Sequence, residues 1–243
     1  MCKADRDTGK VTDGPNTRFR CFAASDERYT ATRMARWHNF ELLKGKTMDE
    51  MIDILHPNLP GNARIVRIHV SGDFYSQVYF DAWMEVARRN PQTLFYAYTK
   101  SLKFWVTRMN QLPDNFKLNA SRGGLLDALI DKVGLKSAEV VFSEDEAVKR
   151  GLEIDHNDSL AYGQDKSFAL LLHGTQPAGS IAAKALSALR KLGKTGYGKK
   201  LAVAMMICFA CIEGIPMKMW PVWGRPGNQN IISRAKYWGE KFS

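Results

Sequence analysis

Residues 64–76 read RIVRIHVSGDFYS, and this stretch decides the fold. It begins as a β-branched run, turns at Ser71-Gly72-Asp73 and continues into a segment whose apolar residues recur at helical spacing. A strand, a glycine turn and a helix in this order are typical of α/β proteins, which collect polar groups at the strand-to-helix junction. The stretch therefore predicts a parallel sheet with a candidate site at the carboxyl end of its first strand.

The same pattern of a strand followed by a helix recurs four more times. The predicted strands are Ile65–Val70, Thr93–Tyr98, Phe116–Ala120, Ala138–Phe142 and Phe168–Leu172. Their near-continuous apolar character and short connections favour parallel neighbours covered by helices. We predict an α/β fold built on a partial, open parallel β/α barrel, with N-terminal helices and an irregular C-terminal extension.

The remaining segments flank this core. A helix is predicted from Ser25, as its N-cap, to Leu43, and Thr47-Met48-Asp49-Glu50 has the pattern of a capping box for a second helix. We interpret the chain as one domain, with residues 1–60 as the N-terminal segment and helices, 61–192 as the β/α core and 193–243 as a basic, aromatic-rich extension.

Composition narrows the class of protein and its partners. The 243 residues are 45% hydrophobic, but no apolar run approaches the roughly 20 residues of a membrane span. The N-terminus lacks the apolar core of a secretory signal, so we expect a soluble, cytoplasmic protein without a membrane partner.

The net charge is +10, and residues 184–243 carry eleven Lys and Arg against two Asp and Glu. This charge favours nucleic acid as a partner; a merely solubilising basic tail is the alternative.

Polar residues follow the predicted strands at their carboxyl ends, where parallel sheets place their sites. We assign proton or metal chemistry to Asp73, His69 and His173. The predicted substrate-binding residues are Ser71, Lys100, Ser121, Arg122, Gly123, Thr175 and Gln176, with Lys100 and Arg122 holding phosphate. A helix cap is an equal alternative for Asp73, and a satisfied core histidine is the alternative for His69.

Two further clusters suggest metal chemistry. The Cys208-Phe209-Ala210-Cys211 spacing suits metal chelation, and Cys2 with Cys21 would complete four thiolates for zinc or an iron–sulfur cluster. Buried, unliganded cysteines are the alternative. The loop with Asp155, His156 and Asp158 is better interpreted as a solvated acidic loop than as a site for a hard cation.

Several runs resemble a family of bacteriophage proteins. They are Arg67–Ser76, Ala82-Trp83, Phe95–Ser101, Asn119–Gly124, Val140–Ser143 and Leu172–Gln176. Together they are similar to the phage gene-product-88-like family and related uncharacterised phage proteins, over most of residues 15–180. The resemblance implies a partial barrel akin to that of radical-SAM enzymes, with cysteines on both sides of the core. Cys21 and Cys2 match the family's N-terminal cysteines, whereas its C-terminal cysteine group is usually richer than the pair Cys208 and Cys211. The three-cysteine CxxxCxxC signature of radical-SAM enzymes is absent, which argues against that chemistry.

These observations predict a phage-encoded enzyme in the host cytoplasm. Its substrate would be nucleic acid or a nucleotide-like phosphorylated small molecule, and a cysteine-bound zinc or iron–sulfur site would tie the termini together. The alternative is a non-catalytic accessory protein that binds nucleic acid or a host protein through its basic extension.

Overall fold

The computed structural model describes residues 3–14, 17–193 and 205–206. The N-terminal part contains the antiparallel pair β1 (Lys3–Ala4) and β2 (Val11–Thr12), followed by α1 (Phe22–Asp26), α2 (Thr30–Leu43) and α3 (Met48–Leu55). The core alternates strands and helices: β3 (Ile65–Ile68), α4 (Gln77–Arg89), β4 (Leu94–Thr99), α5 (Leu102–Thr107), β5 (Phe116–Ser121), α6 (Asp127–Val133), β6 (Ser137–Val141), α7 (Glu144–Lys149), α8 (Ser159–Gly163), β7 (Phe168–Leu171) and α9 (Ile181–Lys191). A short strand, β8 (Met205–Met206), follows.

The five core strands form one parallel sheet in chain order. β3 pairs with β4, β4 with β5, β5 with β6 and β6 with β7, while β8 adds to the free edge of β3. The sheet curls into an open half-barrel, which confirms the predicted fold class. Because every strand points the same way, all the carboxyl ends lie along one edge, called here the carboxyl edge.

The outer face of the sheet carries the main apolar core. Val66 of β3 and Phe95 of β4 are fully buried against α4, whose Phe80 and Trp83 are also inaccessible to solvent. This packing follows from the sequence, because alternate strand residues point to the same face and α4 repeats its apolar residues at helical spacing.

The inner face of the half-barrel is covered by α8. Tyr96 and Phe168 of the sheet pack there against Ala161, with Leu160 and Tyr162 beside it. The segment that carries α8 is therefore part of the core rather than a surface loop.

The structure also corrects several predicted element boundaries. The predicted helix from Ser25 to Leu43 is two helices, because the extended backbone of Tyr29 separates α1 from α2 and Ser25 lies inside α1. The first core strand ends at Ile68 rather than Val70, since the backbone turns into the left-handed region at His69, with φ of 61°. The capping box of Thr47 and Glu50 is confirmed at the start of α3.

Most of the predicted C-terminal extension, residues 193–243, lies outside the described residues. Within the described part of the chain, no helix combines the length and the apolar character that crossing a membrane requires.

Candidate functional site

Asp73 lies at the carboxyl edge and joins two neighbouring strand ends. One carboxylate oxygen accepts hydrogen bonds from the Thr99 hydroxyl at 2.6 Å and from the Phe74 N–H at 2.8 Å, and the other accepts from the Lys100 N–H at 2.7 Å. The cap of α4 is instead Ser76, whose hydroxyl accepts from the Tyr79 N–H. Asp73 is thus not the helix cap that the sequence suggested as an alternative; it fixes the β3–α4 loop onto the end of β4.

Burial raises the pKa of Asp73, although these hydrogen bonds favour the ionised carboxylate and oppose the shift. A carboxylate with both oxygens engaged is well suited to positioning its neighbours.

The predicted phosphate-binding residues Lys100 and Arg122, which follow β4 and β5, form hydrogen bonds and an ion pair with other groups of the protein. The Lys100 ammonium donates to the carbonyls of Ser121 and Arg122 at 2.8 and 2.7 Å, and burial lowers its pKa. The Arg122 guanidinium pairs with Asp131. Lys100, Ser121 and Arg122 therefore do lie together, as predicted, and their contacts join the ends of adjacent strands.

The glycine turn after β5 also binds a carboxylate side chain of the protein itself. The N–H groups of Gly123 and Gly124 donate to the two carboxylate oxygens of Asp127 at 2.8 and 2.9 Å. Backbone N–H groups of this kind are able to bind phosphate, but here an aspartate side chain takes the place of the anion.

The end of β3 differs because two of its buried polar atoms have no hydrogen-bond partner among the described residues. They are the Ser71 hydroxyl and Nδ1 of His69. Gly72, which follows Ser71, is exposed and has φ of 109°, a conformation that glycine adopts without strain. Buried polar groups are normally paired, so these two atoms are exceptions to that pattern.

His69 contacts Tyr79 through its other ring nitrogen. The Tyr79 hydroxyl lies 3.0 Å from Nε2 of His69. Burial and the charges of Arg36 and Arg67 lower the pKa of His69 to about 3, which keeps the ring neutral near pH 7. A neutral ring that accepts the Tyr79 proton at Nε2 would carry its own proton on Nδ1.

A guanidinium completes this group of donors. Nη2 of Arg36, from α2, lies 3.8 Å from the point that a β-carbon on Gly72 would occupy, and the guanidinium is paired with the buried Glu27. Arg36, Ser71 and His69 form what we call the β3 cradle. Sequence reasoning missed Arg36, because nothing in α2 indicates that it returns to the carboxyl edge.

The predicted residues after β7 contact the N-terminal segment instead. The Gln176 side chain accepts from the Arg20 N–H at 2.7 Å and donates to the Arg20 carbonyl at 3.0 Å, while the Arg28 guanidinium donates to the Thr175 hydroxyl. Residues 17–28 therefore run across the carboxyl edge, which explains how this irregular segment is held in place.

His173, the remaining predicted catalytic residue, follows β7. Its Nδ1 is 3.1 Å from the Leu171 carbonyl, and burial lowers its pKa, as does the nearby charge of Arg67.

Both carboxylates of the acidic loop before β7, Asp155 and Asp158, are buried, so the interpretation of these charges as solvated was wrong. Asp158 is 2% exposed and forms an ion pair with Arg67 at 2.9 Å. Tyr96 and Tyr98 donate to its two carboxylate oxygens at 2.8 and 2.9 Å. Strand alternation does place Arg67, Tyr96 and Tyr98 on one face of the sheet, but their partner lies 91 residues from Arg67 and no local pattern indicates it.

The cysteine site stays a prediction. Cys2, Cys208 and Cys211 lie outside the described residues, and Cys21 is half-buried at the start of α1. Within residues 3–14, 17–193 and 205–206, no group of three or more His, Cys, Asp and Glu side chains is arranged to hold a metal ion.

The fold and its carboxyl edge define an α/β protein with an open parallel half-barrel and a polar cradle at the end of its first core strand. The family is more specific. The family model described as Gene product 88 matches residues 1–191, so the chain belongs to the gene product 88 family.

A relative from Mycobacterium phage L5, the Gene 88 protein, is 31% identical over 108 residues. The match covers 40% of this chain and 45% of the relative, so it spans less than half of that protein's length. No solved structure matches the chain. These findings confirm the phage family, whereas the radical-SAM-like core that the resemblance implied is not supported by them.

Proposed function

We propose that the protein is an enzyme that binds a phosphorylated, nucleotide-like substrate in the β3 cradle. The observation that supports this most is the pair of buried polar atoms without described partners, the Ser71 hydroxyl and Nδ1 of His69. With the Arg36 guanidinium near Gly72, they offer neutral and charged donors. Such a set is complementary to an oxyanion, and hydrogen bonds from a guanidinium to phosphate are among the strong ones.

The rest of the carboxyl edge supports a positioning role for the other predicted residues. Asp73 and Lys100 hold the ends of β3, β4 and β5 together through short hydrogen bonds. This arrangement fixes the loop that carries Ser71, which is what a site on rigid elements requires. In this proposal His69 touches the substrate anion, and Asp73 acts through the geometry of its loop.

Calorimetric titration with thymidine 5′-monophosphate tests the proposal. We expect Ser71→Ala to weaken binding by roughly tenfold and Arg36→Gln by at least as much, because a hydrogen bond to a charged group contributes about 1.5–3 kcal/mol. Ser71→Ala removes no described hydrogen bond, so we expect this variant to keep the fold. Arg36→Gln also removes the ion-pair partner of the buried Glu27, so Ser71→Ala is the cleaner test of binding.

The matched control is Arg64→Gln, an exposed arginine at the opposite end of β3, which should bind like the wild type. Unchanged affinity in Ser71→Ala and Arg36→Gln, or a wild type that shows no binding at about 1 mM ligand, would contradict the proposal.

A further inference from the structure

An aromatic surface adjoins the β3 cradle. Its members are Trp37 and Phe40 of α2 and Tyr75 of the β3–α4 loop, called here the aromatic ridge. Ring centroids are 5.9 Å apart for Trp37 and Phe40 and 5.1 Å apart for Phe40 and Tyr75. Tyr75 stacks in turn on Tyr79, the residue whose hydroxyl contacts His69. The ridge is thus continuous with the cradle through packed rings.

The ridge reaches solvent and carries positive charge. Tyr75 is 37% exposed, and the neighbouring Val78 and Met34 are 43% and 64% exposed. The Arg6 guanidinium lies 4.8 Å from the centroid of the Trp37 ring, and the Lys44 ammonium lies 5.6 Å from that of Phe40. One acidic side chain among these residues, Glu41, pairs with Arg6 at the surface.

We infer that the aromatic ridge binds the bases of a single-stranded nucleic acid whose phosphate occupies the β3 cradle. This inference rests on the proposed function and names its substrate class as an oligonucleotide rather than a free nucleotide. Aromatic rings stack on any base, and cations between the rings contact the phosphates that join successive bases. A polyanion is complementary to the exposed Lys44 ammonium, and its phosphates would compete with Glu41 for Arg6.

The test compares the binding of two ligands, thymidine 5′-monophosphate and an oligothymidylate of about eight nucleotides. We expect the oligonucleotide to bind at least tenfold more tightly than the monophosphate. Trp37→Ala and Tyr75→Ala should each remove roughly tenfold of the oligonucleotide affinity and leave monophosphate affinity unchanged, while Tyr75→Phe, which keeps the ring, should bind like the wild type. Lys44→Gln, a surface change, should lower the slope of log affinity against log salt by about one.

The matched control is Phe104→Ala, because Phe104 on α5 is also half-buried beneath a lysine, with the Lys103 ammonium 4.9 Å from its ring centroid. It should not change oligonucleotide binding. Equal affinity for the two probes would overturn the ridge inference, and so would unchanged oligonucleotide binding in Tyr75→Ala and Lys44→Gln. The effect of Ser71→Ala on monophosphate binding tests the β3 cradle separately. If the protein self-associates and Trp37→Ala abolishes this association, the aromatic ridge is an interface between two copies of the protein. That result would also overturn the inference.

Discussion

Replacing Asp158 with alanine should destabilise the fold by about 3–5 kcal/mol, the usual cost of breaking a buried ion pair by removing one partner. Asp158 and Arg67 are 2% and 5% exposed, so the guanidinium would be left charged without its carboxylate inside the half-barrel. The hydroxyls of Tyr96 and Tyr98 would lose their acceptor as well. The free energy of unfolding in urea measures the effect.

Two further variants separate the charge from the backbone. Asp158 has φ of 64°, a left-handed conformation that asparagine tolerates. Asp158→Asn therefore retains the backbone preference and should still cost more than about 2 kcal/mol, because Arg67 loses its buried ion pair. The control is Glu139→Gln, which removes the exposed pair with Arg150 and should cost less than about 1 kcal/mol. Equal losses for Asp158→Asn and Glu139→Gln would contradict the buried network.

Acidification from pH 7 to pH 5 should cost about 2 kcal/mol of stability through His69 alone. The pKa of His69 is lowered from 6.5 to about 3 by burial and by the charges of Arg36 and Arg67. Between these two values the unfolded chain binds a proton at this position and the folded protein does not. The contribution is therefore present above pH 6.5 and is lost as the pH falls toward 3.

The measurement is the change in unfolding free energy between pH 7 and pH 5, compared across variants. His69→Asn should flatten this dependence, since asparagine does not titrate and tolerates the φ of 61°. His38→Asn, a histidine replacement at an exposed position, is the matched control. Burial lowers the pKa of His173 as well, so part of the slope should remain, whereas the raised pKa of Asp73 acts in the opposite direction. An identical slope in His69→Asn and the wild type would contradict the burial of His69.

The fold was predictable from sequence because it depends on local and periodic signals. Five apolar strands, each followed by a helix, specify a parallel sheet, and short connections specify the order of its strands. The capping box at Thr47 was likewise predictable, since both of its partners lie within one helical turn.

The chemistry of the site was less predictable because it depends on contacts between distant residues. The alternation of side chains along β3 placed His69 on the face of Arg67, but the left-handed backbone at His69 breaks that alternation, and its ring packs against Phe74 and Tyr79. Asp73 and Lys100 were correctly located at the carboxyl edge, yet their partners show a positioning role that spacing alone does not reveal.

The most direct measurement of the β3 cradle is the ¹⁵N NMR spectrum of the His69 imidazole during titration with thymidine 5′-monophosphate. The β3 cradle requires Tyr79 to donate to Nε2, which leaves the proton of the neutral ring on Nδ1. Addition of the ligand should shift the Nδ1 resonance in the wild type, and the shift should need higher ligand concentrations in Ser71→Ala. A ring protonated on Nε2, or an Nδ1 resonance that the ligand leaves unchanged, would contradict the β3 cradle as the binding site.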